Sequence, residues 1–246
     1  MKAVVFGGTK GMGRALARLM AERGDALCLL GRDRDDMARS ATDLQIRGAA
    51  GTVGVATCDL LDPSTFAPAL DAAVAALGGL DAVVVTAALF ATQETLERDD
   101  ALRARMLAAN FTNTIQFCEL ARQRLLAAGG AARLCVFSSV AGERARKPVL
   151  LYGAAKAGLS YYLTGLDHKF ASRGLRTILV KPGFVKTGMV AGLPVPPFAG
   201  EPDAVARVVL RAIDRGTPVV YAPGIWRWIM LVIRLLPRAV MRRIEF

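Results

Sequence analysis

The chain has 246 residues, with 32 Lys and Arg against 21 Asp and Glu, one histidine and four cysteines, for a net charge of +11. No linker divides it and, although mean domain size would also allow two units, residues 1–246 read as one α/β domain. The basic charge is spread through the chain without a nucleic-acid reader motif, which excludes that class of partner. Four cysteines (28, 58, 118, 135) with no C-x-x-C pair exclude a disulfide scaffold and imply a reducing compartment, and His168, with no ligand cluster, excludes a metal site.

Seven apolar runs, near residues 3–6, 26–30, 52–57, 82–86, 133–137, 176–180 and 218–221, alternate with helical stretches. Such runs predict a Rossmann fold, a doubly wound parallel seven-stranded sheet with helices on both faces. The first run is followed by Gly7-Gly8-Thr9-Lys10-Gly11-Met12-Gly13 and then by helical spacing. Glycines at 7, 11 and 13 permit a tight turn and close main-chain approach, so a pyrophosphate can rest on amides at the positive end of the helix. This G-x3-G-x-G spacing differs from the general G-x-G-x-x-G fingerprint.

The second run ends in Gly31-Arg32-Asp33-Arg34, where an NAD enzyme usually places an acidic residue for the ribose hydroxyls. Arg32 is basic instead, and Lys10 lies inside the glycine turn, so two cations can converge on a 2′-phosphate. NADP(H) is therefore the preferred cofactor, and Asp33, which can still reach a ribose hydroxyl, keeps NAD(H) as the alternative.

The fifth run leads into Ser138-Ser139, and the spacing predicts a helix over 149–170 that carries Tyr152 and Lys156 on one face. A phenol titrates near pH 10 and is a poor proton donor or acceptor at neutral pH. Lowering it by about three units needs about 4 kcal/mol, which an adjacent ammonium and a nicotinamide charge can supply at low dielectric. Ser139 can hold a carbonyl oxygen beside that phenol. Taken singly, these are a turn serine, a half-buried aromatic and an exposed helix charge; the nucleotide turn upstream favours the catalytic reading.

Together, the glycine turn and the S-x12-Y-x3-K spacing closely resemble the short-chain dehydrogenase/reductase family, across nearly the whole chain. The resemblance implies a catalytic set of Asn110, Ser139, Tyr152 and Lys156, with Lys156 also holding the ribose and Asn110 supporting a water that links Lys156 to solvent. For cofactor contacts it implies Gly7, Thr9, Lys10, Gly11, Met12 and Gly13 in the turn, Arg32, the pair Asp59-Leu60 at the adenine, and Ala87. It adds Pro182, Gly183, Val185 and Thr187 at the nicotinamide end. One element departs: Val85-Thr86-Ala87-Ala88 stands where the family has Asn-Asn-Ala-Gly, which puts local detail of the sheet in doubt. A homodimer or homotetramer is expected, since in relatives the helix bearing the tyrosine packs against its copy.

The Pro-rich stretch 192–200, within a segment of about 188–200, reads as a substrate-covering loop or as a passive connection. Leu89, Phe90, Phe184, Met189, Leu193 and Phe198 would make an apolar pocket. Residues 225–236 are nearly all apolar, broken by Arg227 and Arg234 and followed by Pro237, Arg238, Arg242 and Arg243. Twelve residues are too few to span a bilayer, which needs about twenty. The arginines, seven apart, share one helical stripe, so 225–246 reads as a basic amphipathic segment with Trp226 and Trp228 at a headgroup layer. Peripheral association with an anionic membrane is one expectation; covering the pocket or packing between subunits is the other. The chain starts on its first strand without a cleavable signal, so a cytoplasmic location, at the inner face of a membrane where the tail binds, is expected.

The expected activity is NADPH-dependent reduction of a ketone to a secondary alcohol. The tail pieces look similar to the ends of lipid-acting members, including reductases of polyprenyl-phosphoryl keto-sugars and of ketosphinganine-like compounds. A 3-oxoacyl thioester is the runner-up substrate, and an epimerase, a dehydratase or a non-catalytic NADPH sensor are further alternatives.

Overall fold

A computed structural model describes residues 1–130 and 132–245. Seven strands, β1 (Lys2–Phe6), β2 (Ala26–Gly31), β3 (Gly54–Thr57), β4 (Ala82–Val85), β5 (Arg133–Phe137), β6 (Arg176–Pro182) and β7 (Val219–Ala222), form one sheet in the order β3-β2-β1-β4-β5-β6-β7. Every pairing is parallel. The expected fold is therefore present, each strand falling on its predicted apolar run.

Period-two alternation divides the central strands between two cores. Val4, Phe6, Cys28, Leu30, Val83, Val85, Leu134 and Val136 face one side, under α3 (Phe66–Leu77), α6 (Thr114–Ala127) and α7 (Leu150–Phe170). Ala3, Val5, Leu27, Leu29, Ala82, Val84, Cys135 and Phe137 face the other, under α1 (Gly11–Glu22), α2 (Arg34–Ile46) and α8 (Pro202–Arg215). Burial on both sides is why these strands read as unbroken apolar runs.

All four cysteines are buried and free, and burial pushes the Cys28 thiol up to about 11. The chain order reverses between β1 and β4, which makes the crevice beyond their carboxyl ends the place where a ligand binds. Two short helices, α4 (Gln93–Arg98) and α5 (Asp100–Leu107), follow β4, and a π-helical turn over Ala108–Asn113 joins α5 to α6. The basic tail folds as α9 (Trp226–Leu235) and α10 (Arg238–Arg243).

Candidate active site

The glycine turn is packed main chain on main chain. A Cβ on Gly13 would lie 2.2 Å from the Gly7 carbonyl oxygen and 2.4 Å from Thr86 Oγ1. Thr86 Oγ1 lies 3.1 Å from the Phe6 carbonyl and 3.0 Å from that of Gly7, bracing the turn from the end of β4. The departure at 85–88 thus brings its own structural support. Sequence reading had no signal for this role of Thr86, because the contact joins positions about 80 residues apart.

Helix α1 begins after Lys10 with no side-chain cap and no acidic residue in its first turn. By contrast, α2, α4 and α5 are capped by the side chains of Asp33, Thr92 and Asp99. The first-turn amides of α1 are left for an anion, and the residues present fit a dinucleotide pyrophosphate there.

A cavity of about 470 Å³ opens over this turn. Its wall brings together Gly7, Thr9, Lys10, Gly11, Met12, Gly13, Arg32, Asp59, Leu60, Ala87 and Thr187. Leu89, Phe90 and Met189 add apolar surface to the same wall. Pro182, Gly183 and Val185 lie behind the wall. Pro182 ends β6, a Cβ on Gly183 would meet the Trp226 indole at 2.1 Å, and buried Val185 bridges to Gly200. Of the other apolar candidates, Phe184 packs with Trp226, and Phe198 is exposed.

Charge at the adenosine end is more balanced than the sequence suggests. Asp33 caps α2, accepting from the Asp36 amide at 2.9 Å, and that bond holds its carboxyl below the usual range. One oxygen of that carboxylate serves the helix, and Asp33 also lines the cavity. Asp36, which sequence reading missed, lies 3.8 Å from Lys10 Nζ and also lines the cavity.

Ser139 ends the β5 loop and is fixed by accepting from the Ala141 amide at 3.1 Å. Ser138 ties the same loop to α7: its hydroxyl donates to the Lys156 carbonyl at 2.9 Å and lies 2.7 Å from Ser160 Oγ. The loop lies so close to α7 that a Cβ on Gly142 would meet the Ala157 nitrogen at 2.6 Å and the Lys156 carbonyl carbon at 2.7 Å. The absence of a side chain at residue 142 lets Ser139 reach Tyr152.

Lys156 is buried, and its ammonium donates to the Phe137 carbonyl at 3.0 Å. It lies 5.8 Å from the centre of the Tyr152 ring, and Phe90 also packs against that ring, edge-on at 5.2 Å. Burial pushes the phenol of Tyr152 up to about 12, opposed by the Ser139 hydroxyl, and lowers Lys156 to about 8. The expected lowering, which draws on Lys156 together with a nicotinamide charge, is not what the protein alone gives: burial is the larger cause and the Ser139 hydroxyl the smaller, opposing one.

Asn110, fully buried in the π-helical turn, clamps the β4 loop, its Oδ1 accepting from the Leu89 amide at 2.9 Å and its Nδ2 donating to the Leu89 carbonyl. Its side chain positions the Leu89-Phe90 wall.

The tail is strapped to the segment between Ser139 and Tyr152. Arg144 Nη2 donates to the Leu236 carbonyl at 3.0 Å, and Lys147 pairs with Glu245. Glu143, nearly fully buried, accepts from Lys181 at 2.6 Å and from the Tyr221 hydroxyl. Trp226 is buried against Val140, Met230 and Ile233, and its indole donates to the Phe198 carbonyl at 3.2 Å. The expectation that both tryptophans sit at a headgroup layer is corrected, since Trp226 belongs to the protein interior and only Trp228 is exposed.

A profile of the short chain dehydrogenase family matches residues 1–195. The chain belongs to this family. It is 33% identical over 242 residues to an uncharacterized oxidoreductase of Mycobacterium tuberculosis, covering 98% of this chain and 95% of that one. It is 30% identical to carbonyl reductase family member 4 of Danio rerio, over 86% of this chain and 90% of that one. A further relative, 33% identical over 78% of this chain and 76% of its own length, is the cis-4-hydroxycyclohexanecarboxylate dehydrogenase of Sinomonas cyclohexanicum. A solved short-chain type dehydrogenase/reductase from Mycobacterium ulcerans has the same fold, with a TM-score of 0.80 at 22% identity over 89% of this chain and 86% of that one. As a short-chain dehydrogenase the protein is an oxidoreductase that uses NAD(P)(H).

Gly142→Ala tests the packing of the Ser139 loop. The added methyl should push Ser139 away from Tyr152 and lower kcat on the order of a hundredfold, the scale expected for a displacement of about 1 Å. Nucleotide affinity, set by the α1 turn, should change less than about twofold, measured by fluorescence titration.

Proposed function

We propose that this short-chain dehydrogenase is an NADPH-dependent reductase that converts a ketone to a secondary alcohol on a hydrophobic or lipid-linked substrate, such as a keto-sphingoid or a polyprenyl-phosphoryl keto-sugar. The observation that carries the reading is one cavity whose wall holds Lys10 and Arg32 together with Leu89, Phe90 and Met189, with Phe90 edge-on to the Tyr152 ring. Arg32, in the cavity wall with Lys10, can take a 2′-phosphate by bidentate hydrogen bonding.

The glycine turn and the cavity wall would hold a nicotinamide nucleotide, which would supply hydride chemistry at the carbonyl carbon. Ser139 hydrogen-bonds the carbonyl oxygen and fixes it beside Tyr152, which gives that oxygen its phenolic proton. Lys156, anchored on the Phe137 carbonyl, presents its charge beneath the phenol as the phenolate forms. The products are the alcohol and the oxidised nucleotide, and solvent returns the proton to Tyr152.

The panel that tests the substrate reading compares lipid-linked keto-sugars, keto-sphingoids, medium-chain ketones and 3-oxoacyl thioesters by loss of NADPH absorbance. Turnover of the lipid-like ketones supports it; activity confined to soluble thioesters assigns the runner-up, and turnover without net NADPH loss assigns an epimerase. Tyr152→Phe should lower kcat by at least about a hundredfold, the upper part of the range for a positioned proton donor, with NADPH affinity unchanged. Retained turnover would remove the phenol from the mechanism.

The pH profile should differ between directions. A phenol protonated up to about 12 is ready to donate, so the reduction rate should be level through neutral pH. Alcohol oxidation needs the phenolate, so its rate should climb as pH rises towards that value, followed with NADP+ and the product alcohol. Arg32→Glu should lower kcat/KM for NADPH about a hundredfold and leave that for NADH within severalfold, the loss of one charge-assisted pair and its replacement by repulsion.

A further inference from the structure

We propose that the outer face of α9 and α10 is a docking surface for an anionic phospholipid bilayer. Helix α9 has two apolar faces. Trp226, Met230 and Ile233 point inward and are buried. Trp228, Leu231, Val232 and Leu235, at the spacing i, i+3, i+4 and i+7, form a second apolar face that is exposed, with Trp228 at 61% and Leu235 at 75%. Four large apolar side chains together in water, beside an already filled core face, mark a contact surface.

The charge on that face selects the occupant. Arg227 and Arg234 flank Leu231 and, with Trp228, Tyr221 and Val219, line a hollow of about 360 Å³ between α9 and the edge strand β7. Arg238, Arg242 and Arg243 extend the basic surface along α10, and all three are exposed. Among the described residues, no carboxylate lies within 4.0 Å of Arg227, Arg238, Arg242 or Arg243. Arg234 is 3.9 Å from Glu143, whose nearer donors are Lys181 and Tyr221. The single acidic residue of 225–245 is Glu245, and it is paired with Lys147.

Five arginines around an apolar strip match a phosphate layer over acyl chains. Guanidiniums in the hollow take headgroup phosphate, Trp228 sits at the interface, and Leu231, Val232 and Leu235 enter the acyl boundary. A second copy of this chain fits less well, because an isologous contact would set each Arg227 and Arg234 pair against its like. Among the described residues no helix is long and apolar enough to cross a membrane, so the segment lies on the surface.

The two tryptophans make the test direct, since Trp226 is buried and Trp228 exposed. Full-length protein is sedimented with vesicles of phosphatidylcholine alone or mixed with phosphatidylglycerol, at rising salt, and its tryptophan emission is recorded. The expected result is at least about tenfold more protein bound to the anionic vesicles, weakening with salt, and a blue shift that Trp228→Phe removes. Arg227→Gln with Arg234→Gln should lower binding about tenfold or more while leaving folding and nucleotide affinity intact. Binding that is absent, indifferent to lipid charge, or unchanged in both variants would overturn the proposal. So would self-association that Leu231→Ser with Leu235→Ser abolishes and lipid does not affect, which would assign the face to a second copy. None of these readouts depends on the substrate or on turnover.

Discussion

Burial of the parallel sheet on both faces is the constraint from which the site follows. A strand whose side chains all face packed helices, as in β1 and β4, has no surface to offer a ligand except at its ends. The carboxyl ends of β1, β4 and β5 therefore carry the candidate site, and the loops there are held by side chains bonded to main chain. Thr86 grips the Gly7 turn, Asn110 grips Leu89, and Ser138 grips α7. Each clamp connects a loop to an element distant in the chain, so the cavity forms only when the sheet is complete.

That division also explains what could be read from the sequence. Strand positions were legible because two-sided burial writes itself as unbroken apolar runs, and the Ser139, Tyr152 and Lys156 set because its spacing is local to one loop and one helix. The clamps were not legible. Thr86, Asp36, Ser138 and Glu143 are ordinary polar residues whose partners are fixed by tertiary contact. The tail shows the same limit: helical spacing placed Arg227 and Arg234 on one stripe, but which apolar stripe faces inward depends on Val140 and Phe184. Hence Trp226 and Trp228, two residues apart, have opposite fates.

The electrostatics of Tyr152 follow from the same packing. A loop pressed against α7 buries Lys156 on the Phe137 carbonyl and leaves the Tyr152 ring in contact with an ammonium and the Phe90 ring. Such a site penalises both charged forms, raising the phenol and lowering the ammonium. An uncharged proton donor beside a lysine that at about 8 is still mostly charged at neutral pH suits ketone reduction, where charge moves onto the phenol only as the alcohol forms. The sequence argument anticipated the ion-pair attraction and omitted the desolvation, which no spacing reveals.

The tail then bears on two readings that the sequence left open side by side. Its buried face and its end are tied to the segment between Ser139 and Tyr152 through Val140, Arg144 and Lys147. Its other face carries arginines and exposed apolar side chains. Covering the catalytic loop and meeting an external surface are thus properties of opposite sides of one helix. A rigid ten-residue helix between them means that whatever docks outside is held one helix diameter, about 10 Å, from the loop that positions Ser139.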